Sequence, residues 1–67
     1  MANFSQLLEI MKENNITDKM IASALGIDLS TWYRRKLAPQ KITIGEAQEI
    51  KDLLNLSDET AASIFLH

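Results

Sequence analysis

Five times along this chain, a residue suited to capping a helix stands just before a stretch whose apolar residues recur three and four positions apart. The five are Asn3, Thr17, Asp28, Thr43 and Ser57. Each carries a side-chain oxygen that can accept from a backbone N–H two or three residues on, satisfying a donor that a helix start leaves without a partner. The pattern predicts short helices over residues 4–14, 18–25, 29–37, 44–54 and 58–66. Gln6 stands three residues after Asn3, and Glu46 three after Thr43, in the reciprocal capping-box spacing. Asn14-Asn15, Gly26 and Pro39 break the chain between helices, and no stretch of useful length alternates as a strand would. The inward faces are predicted as Phe4, Leu7, Leu8 and Met11, then Ile21, Ala24 and Leu25. They continue with Ile44, Ala47, Ile50 and Leu54 beside Leu53, and end with Ala61, Ile64 and Phe65. The expected fold is all-α, a compact bundle of five short helices forming one domain over residues 1–67.

A chain of 67 residues has a thin core, burying only about 60% of the surface it exposes when unfolded. It has no cysteine, so neither a disulfide nor a thiolate ligand to zinc is available, and stability must come from helix packing. An apolar share of 46% with 24% charged residues is that of a folded globular chain. No apolar run approaches membrane-spanning length, and Met1-Ala2-Asn3-Phe4 lacks the basic start of a signal peptide. The expected location is the cytoplasm.

The formal net charge of -2 speaks mildly against a nucleic-acid partner, but the charges are segregated. Residues 28–41 hold Arg34, Arg35, Lys36 and Lys41 against Asp28 alone, a local +3. Residues 42–67 hold Lys51 against Glu46, Glu49, Asp52, Asp58 and Glu59, a local -4. Glu46, Glu49 and Asp52 read as the solvated face of an amphipathic helix. His67, the one histidine, closes the sequence without a partner, and no nucleophile–base pair, phosphate loop or metal-spaced cluster appears. Neither an enzyme nor a cofactor or metal site is expected.

The basic island falls in a helix–turn–helix layout over residues 17–37. Ala22 is small where two helices must cross, and Gly26 follows four residues later at the turn. A Cβ at position 26 is expected to strain that turn. Ile27 plugs it, and Trp32 anchors the second helix in the core. Met11 and Met20 read as gap-fillers. The string Ala24-Leu25-Gly26-Ile27, the run from Ser30 to Leu37, and the closing stretch 54–67 resemble the lambda-repressor-like helix-turn-helix class, which includes phage Cro and repressor proteins. The chain looks like a small phage-type regulator of Gram-positive bacteria.

The resemblance implies that the third helix enters the DNA major groove, with Leu29, Ser30, Tyr33 and Arg34 reading bases. Arg34 is the strongest reader, because a guanidinium can bond guanine O6 and N7 together. It further implies phosphate contacts by Thr17, Lys19, Arg35, Lys36, Gln40, Lys41 and Thr43. Asp18 departs from the family, which often has glutamine there; a carboxylate at that place must turn aside or repel phosphate. Arg35 stands where an apolar residue is common, so its stem is expected to pack and its head to reach solvent or phosphate. The function implied is a sequence-specific, double-stranded DNA-binding transcriptional regulator that acts by occupying an operator as a homodimer, at least on DNA. One helix face cannot bury Ile64, Phe65 and Leu66 together, so the stretch is expected both to close the core against Phe4 and Leu7 and to offer dimer contacts, with Phe65 or Leu66 partly exposed in the monomer. The alternative is a protein-interaction module, such as an antirepressor, using the acidic fourth and fifth helices.

Overall fold

The computed structural model describes residues 4–66. Along them run α1 (Phe4–Glu13), α2 (Asp18–Leu25), α3 (Leu29–Leu37), α4 (Ile44–Leu54) and α5 (Asp58–Phe65), with one 3-10 turn at Pro39–Lys41. There is no strand among the described residues.

The helix starts follow from the caps. The side chains of Thr17, Asp28, Thr43 and Ser57 accept from the backbone N–H of Met20, Thr31, Glu46 and Thr60, each three residues on. Thr43 and Glu46 complete the reciprocal box. Asn3 and its expected cap lie outside the described residues, as does His67. The Gln6 side-chain oxygen accepts from the Ser63 hydroxyl at 3.1 Å, tying α1 to α5. Three helix ends turn through left-handed backbone, at Asn15 (φ 57°), Gly26 (φ 70°) and Asn55 (φ 54°). Glycine and asparagine are the residues that adopt this conformation at least cost. Asn14, expected to be the last residue of α1, lies in the turn, its side-chain amide donating to the Ile10 carbonyl at 2.8 Å. α5 likewise ends one residue early, with Leu66 extended.

Each helix gives the core one fully buried large side chain: Leu7, Ile21, Trp32, Ile50 and Ile64 in chain order. Met11, Ala22 and Leu54 complete it. α2 packs against both α3 and α4, and α1 against α5. The radius of gyration, 10.7 Å, matches the roughly 11 Å of a close-packed globule of this length.

Several expected inward positions turn outward. Ala24 is exposed, and Ala22 takes the crossing, where its lack of bulk lets two helices approach α2. Leu8, Met20 and Leu53 are each more than a third exposed, so Met20 fills no gap. Ile44 is 90% exposed; as the first residue of α4 it precedes the turns that meet the core.

Candidate nucleic-acid interface

Trp32 sets the orientation of α3. Its ring is wholly buried, tilted at 49° to that of Phe4 with centroids 6.2 Å apart. Its Nε1–H donates to Asp18 Oδ1 on α2 at 2.8 Å, giving the indole the polar partner that a buried tryptophan requires. With that side fixed inward, helical geometry turns Ser30, Tyr33, Arg34 and Leu37 to the other, at the i, i+3, i+4, i+7 positions of one stripe. All four are exposed, Leu37 by 88%.

Three of the four expected base readers therefore share a face. Leu29 does not stand fully with them: it is half-buried and packs against the core. Leu37 does, an apolar residue to which the resemblance assigns no role, although the same periodicity that identifies a buried stripe locates it. Ser30 donates its hydroxyl to Asp28 Oδ2 at 3.0 Å, and Arg34 Nη2 donates to Thr31 Oγ1 at 3.0 Å. Hydrogen bonds from the Thr31 and Ser30 side chains hold the Asp28 carboxyl below its ordinary pKa.

The basic island is not one patch of unpaired charge. Arg35 Nη1 donates to Glu46 Oε1 on α4, and the same oxygen accepts from the Thr43 backbone N–H at 3.0 Å. Lys36 Nζ donates to Asp18 Oδ1 at 3.0 Å, sharing that oxygen with Trp32, and lies 5.3 Å from the centre of the Tyr33 ring. Both pairs are largely shielded, with side-chain exposures of 25% and 16% for Arg35 and Glu46 and 24% and 28% for Lys36 and Asp18.

The pKa shifts follow. Burial pushes the Asp18 carboxyl up, but the bonds from Trp32 and Lys36 and the lysine charge outweigh it and leave the group below its ordinary value. The Arg35 hydrogen bond holds Glu46 low against the opposing effect of burial. The same bond raises Arg35. Glu46 is thus no solvated surface acid, and Asp18 has turned from the surface toward Trp32 and Lys36. Glu49 and Asp52 do stay exposed, Asp52 accepting from the Gln48 amide at 3.0 Å.

The remaining expected phosphate contacts, Thr17, Lys19, Gln40, Lys41 and Thr43, are all exposed. Thr17 and Thr43 each accept one cap hydrogen bond and keep a hydroxyl proton to donate. Of the three expected dimer contacts, Ile64 is fully buried within the chain and has no surface to offer. Phe65 is half-buried and Leu66 is 68% exposed. Both line an open groove of about 260 Å³ between α4 and α5, together with Ile42, Ile44, Ala47 and Ala61. No three His, Cys, Asp or Glu side chains among the described residues gather to hold a metal ion, and no helix there is long and apolar enough to cross a membrane.

Comparison with protein-family models, with curated proteins and with solved structures finds no match to this chain.

Proposed function

We propose that the protein is a sequence-specific, double-stranded DNA-binding regulator of the lambda-repressor-like helix-turn-helix kind, with α3 as the helix that enters the major groove. The observation that carries this reading is the exposed stripe Ser30–Tyr33–Arg34 on a short helix whose far side is anchored by Trp32. A helix with its side chains is about 10–12 Å across, and the major groove is about 12 Å wide. Arg34 supplies guanidinium donors for a guanine, Ser30 a hydroxyl, and Tyr33 a phenol for a base edge or the backbone. Lys19, Lys41, Gln40 and the cap hydroxyls of Thr17 and Thr43 are the phosphate contacts. Arg35 and Lys36 approach phosphate with Glu46 and Asp18 already bonded to them, which offsets their charge. Self-association through the groove between α4 and α5 brings two such helices to half-sites about 34 Å apart, and operator occupancy then blocks a competing protein.

Titration on mixed genomic DNA at several salt concentrations tests the reading. Binding weakens linearly in log–log form, by a slope of about -0.9 per phosphate neutralised. Arg34→Ala relaxes discrimination at one base pair, by about 1–3 kcal/mol, whereas Lys41→Ala weakens binding to all sequences alike. Binding that neither substitution alters counts against the DNA reading.

The second reading, a protein-interaction module such as an antirepressor, is favoured by the apolar groove on the acidic α4–α5 side and by Ile44 exposed at its rim. Loss of a protein partner on Ile44→Asp, with DNA binding absent throughout, is its signature.

A further inference from the structure

Two of the three consecutive cations on α3 are neutralised from neighbouring helices. Lys36 Nζ lies 3.0 Å from Asp18 Oδ1 on α2, and Arg35 is bonded to Glu46 on α4. Arg34, between the exposed Tyr33 and this paired couple, is the one of the three without a carboxylate partner among the described residues. Neither carboxylate drifts over the surface. Asp18 is held by the Trp32 indole at 2.8 Å, and Glu46 by the Thr43 backbone at 3.0 Å, each through the same oxygen that meets the cation. A lysine that exchanges Asp18 for a phosphate leaves a fixed negative charge beside the phosphate it has gained, and Arg35 leaving Glu46 does the same.

We infer that Asp18 and Glu46 are specificity-determining residues: by neutralising Lys36 and Arg35 within the fold, they suppress sequence-independent attraction to the phosphate backbone. Affinity then depends on base contacts by the unpaired stripe. The inference rests on the DNA-binding reading above and adds to it a reason for an acidic regulator. Phosphate contacts supply nearly all non-specific binding and carry no sequence information, so removing two of them raises the share of affinity that discriminates.

Asp18→Asn and Glu46→Gln test this, because each keeps an oxygen for Trp32 Nε1 or the Thr43 N–H and removes only the charge. The probe is a random-sequence 30-base-pair duplex, titrated from 50 to 200 mM salt with wild-type protein and both variants, helix content being checked by circular dichroism. Each variant is expected to bind this duplex roughly five- to tenfold more tightly near 0.1 M salt, with a salt slope steeper by about 0.9, the increment for one more phosphate. Asp18→Asn combined with Lys36→Gln is expected to return to the wild-type slope, which a merely structural role for Asp18 does not explain. Wild-type binding with unchanged slopes in both folded variants overturns the inference and leaves the DNA reading standing. Failure of all proteins to bind at 50 mM salt brings down both.

Discussion

Removing Trp32 takes away the largest fully buried side chain and, with it, the hydrogen bond that joins α3 to Asp18. Large aromatic deletions in cores cost about 3–5 kcal/mol, and domains hold only about 5–15 kcal/mol in total. Trp32→Ala is therefore expected to be largely unfolded at 25 °C by circular dichroism. Trp32→Phe keeps an aromatic ring but loses the Nε1–H bond and part of the indole's buried volume, so it is expected to fold with about 1–3 kcal/mol less stability by urea titration. A Trp32→Phe variant as stable as the wild type would contradict the role given to that bond. Trp32 was legible as an anchor in the sequence because size and hydrophobicity alone send such a residue inward. Its partner was not, since Asp18 lies 14 positions away and only the packing of α2 on α3 brings them together. Gly26 shows the same division. Its φ of 70° agrees with the turn read from sequence, yet an added Cβ would meet nothing within 4 Å, so the strain expected at this site is one of backbone alone.

At the scale of elements, the helix bounds were legible to within a residue because their causes are local. A cap and the donor it satisfies are three positions apart, and the left-handed exits at Asn15 and Gly26 depend only on the residue at the exit. Helix faces were less legible. Ala22 is buried as its expected place at the helix crossing requires, but Ala24 turns outward, and Ile44 stays out because it precedes the turns that meet the core. The ion pairs between elements were hidden because only packing brings their members together, and with them the fate of Arg35, Lys36 and Glu46. These pairs give stability a pH dependence of definite sign. Asp18 and Glu46 have folded pKa values below their ordinary 3.8 and 4.5, so folding releases their protons more readily. Their contribution is full above those ordinary values and is lost as pH falls through the lower folded ones. Urea midpoints are thus expected to be level from pH 7 to about pH 5 and to drop below pH 4, with a shallower drop in Asp18→Asn. A rise in stability on acidification would contradict the geometry of both pairs.

At the scale of the whole fold, five helices of eight to eleven residues among the described residues each pin one large side chain in a shared core. The α3 stripe is polar with one exposed leucine at its end, while the α4–α5 groove is apolar and rimmed by the Lys51–Asp58 pair at 3.1 Å. In the proposed function the α3 stripe meets DNA and the α4–α5 groove meets a second copy, with Thr43 both a groove residue and a phosphate contact. The most direct test of that assignment is to follow backbone amide resonances while a short random-sequence duplex is added at low salt. The changes are expected along α3 at Ser30, Tyr33, Arg34 and Leu37 and on the segment from Gln40 to Thr43, with any change at Ala61, Ala62 and Phe65 reporting the docking of a second copy on DNA. Changes confined to α4 and α5, or none along α3, would contradict the account.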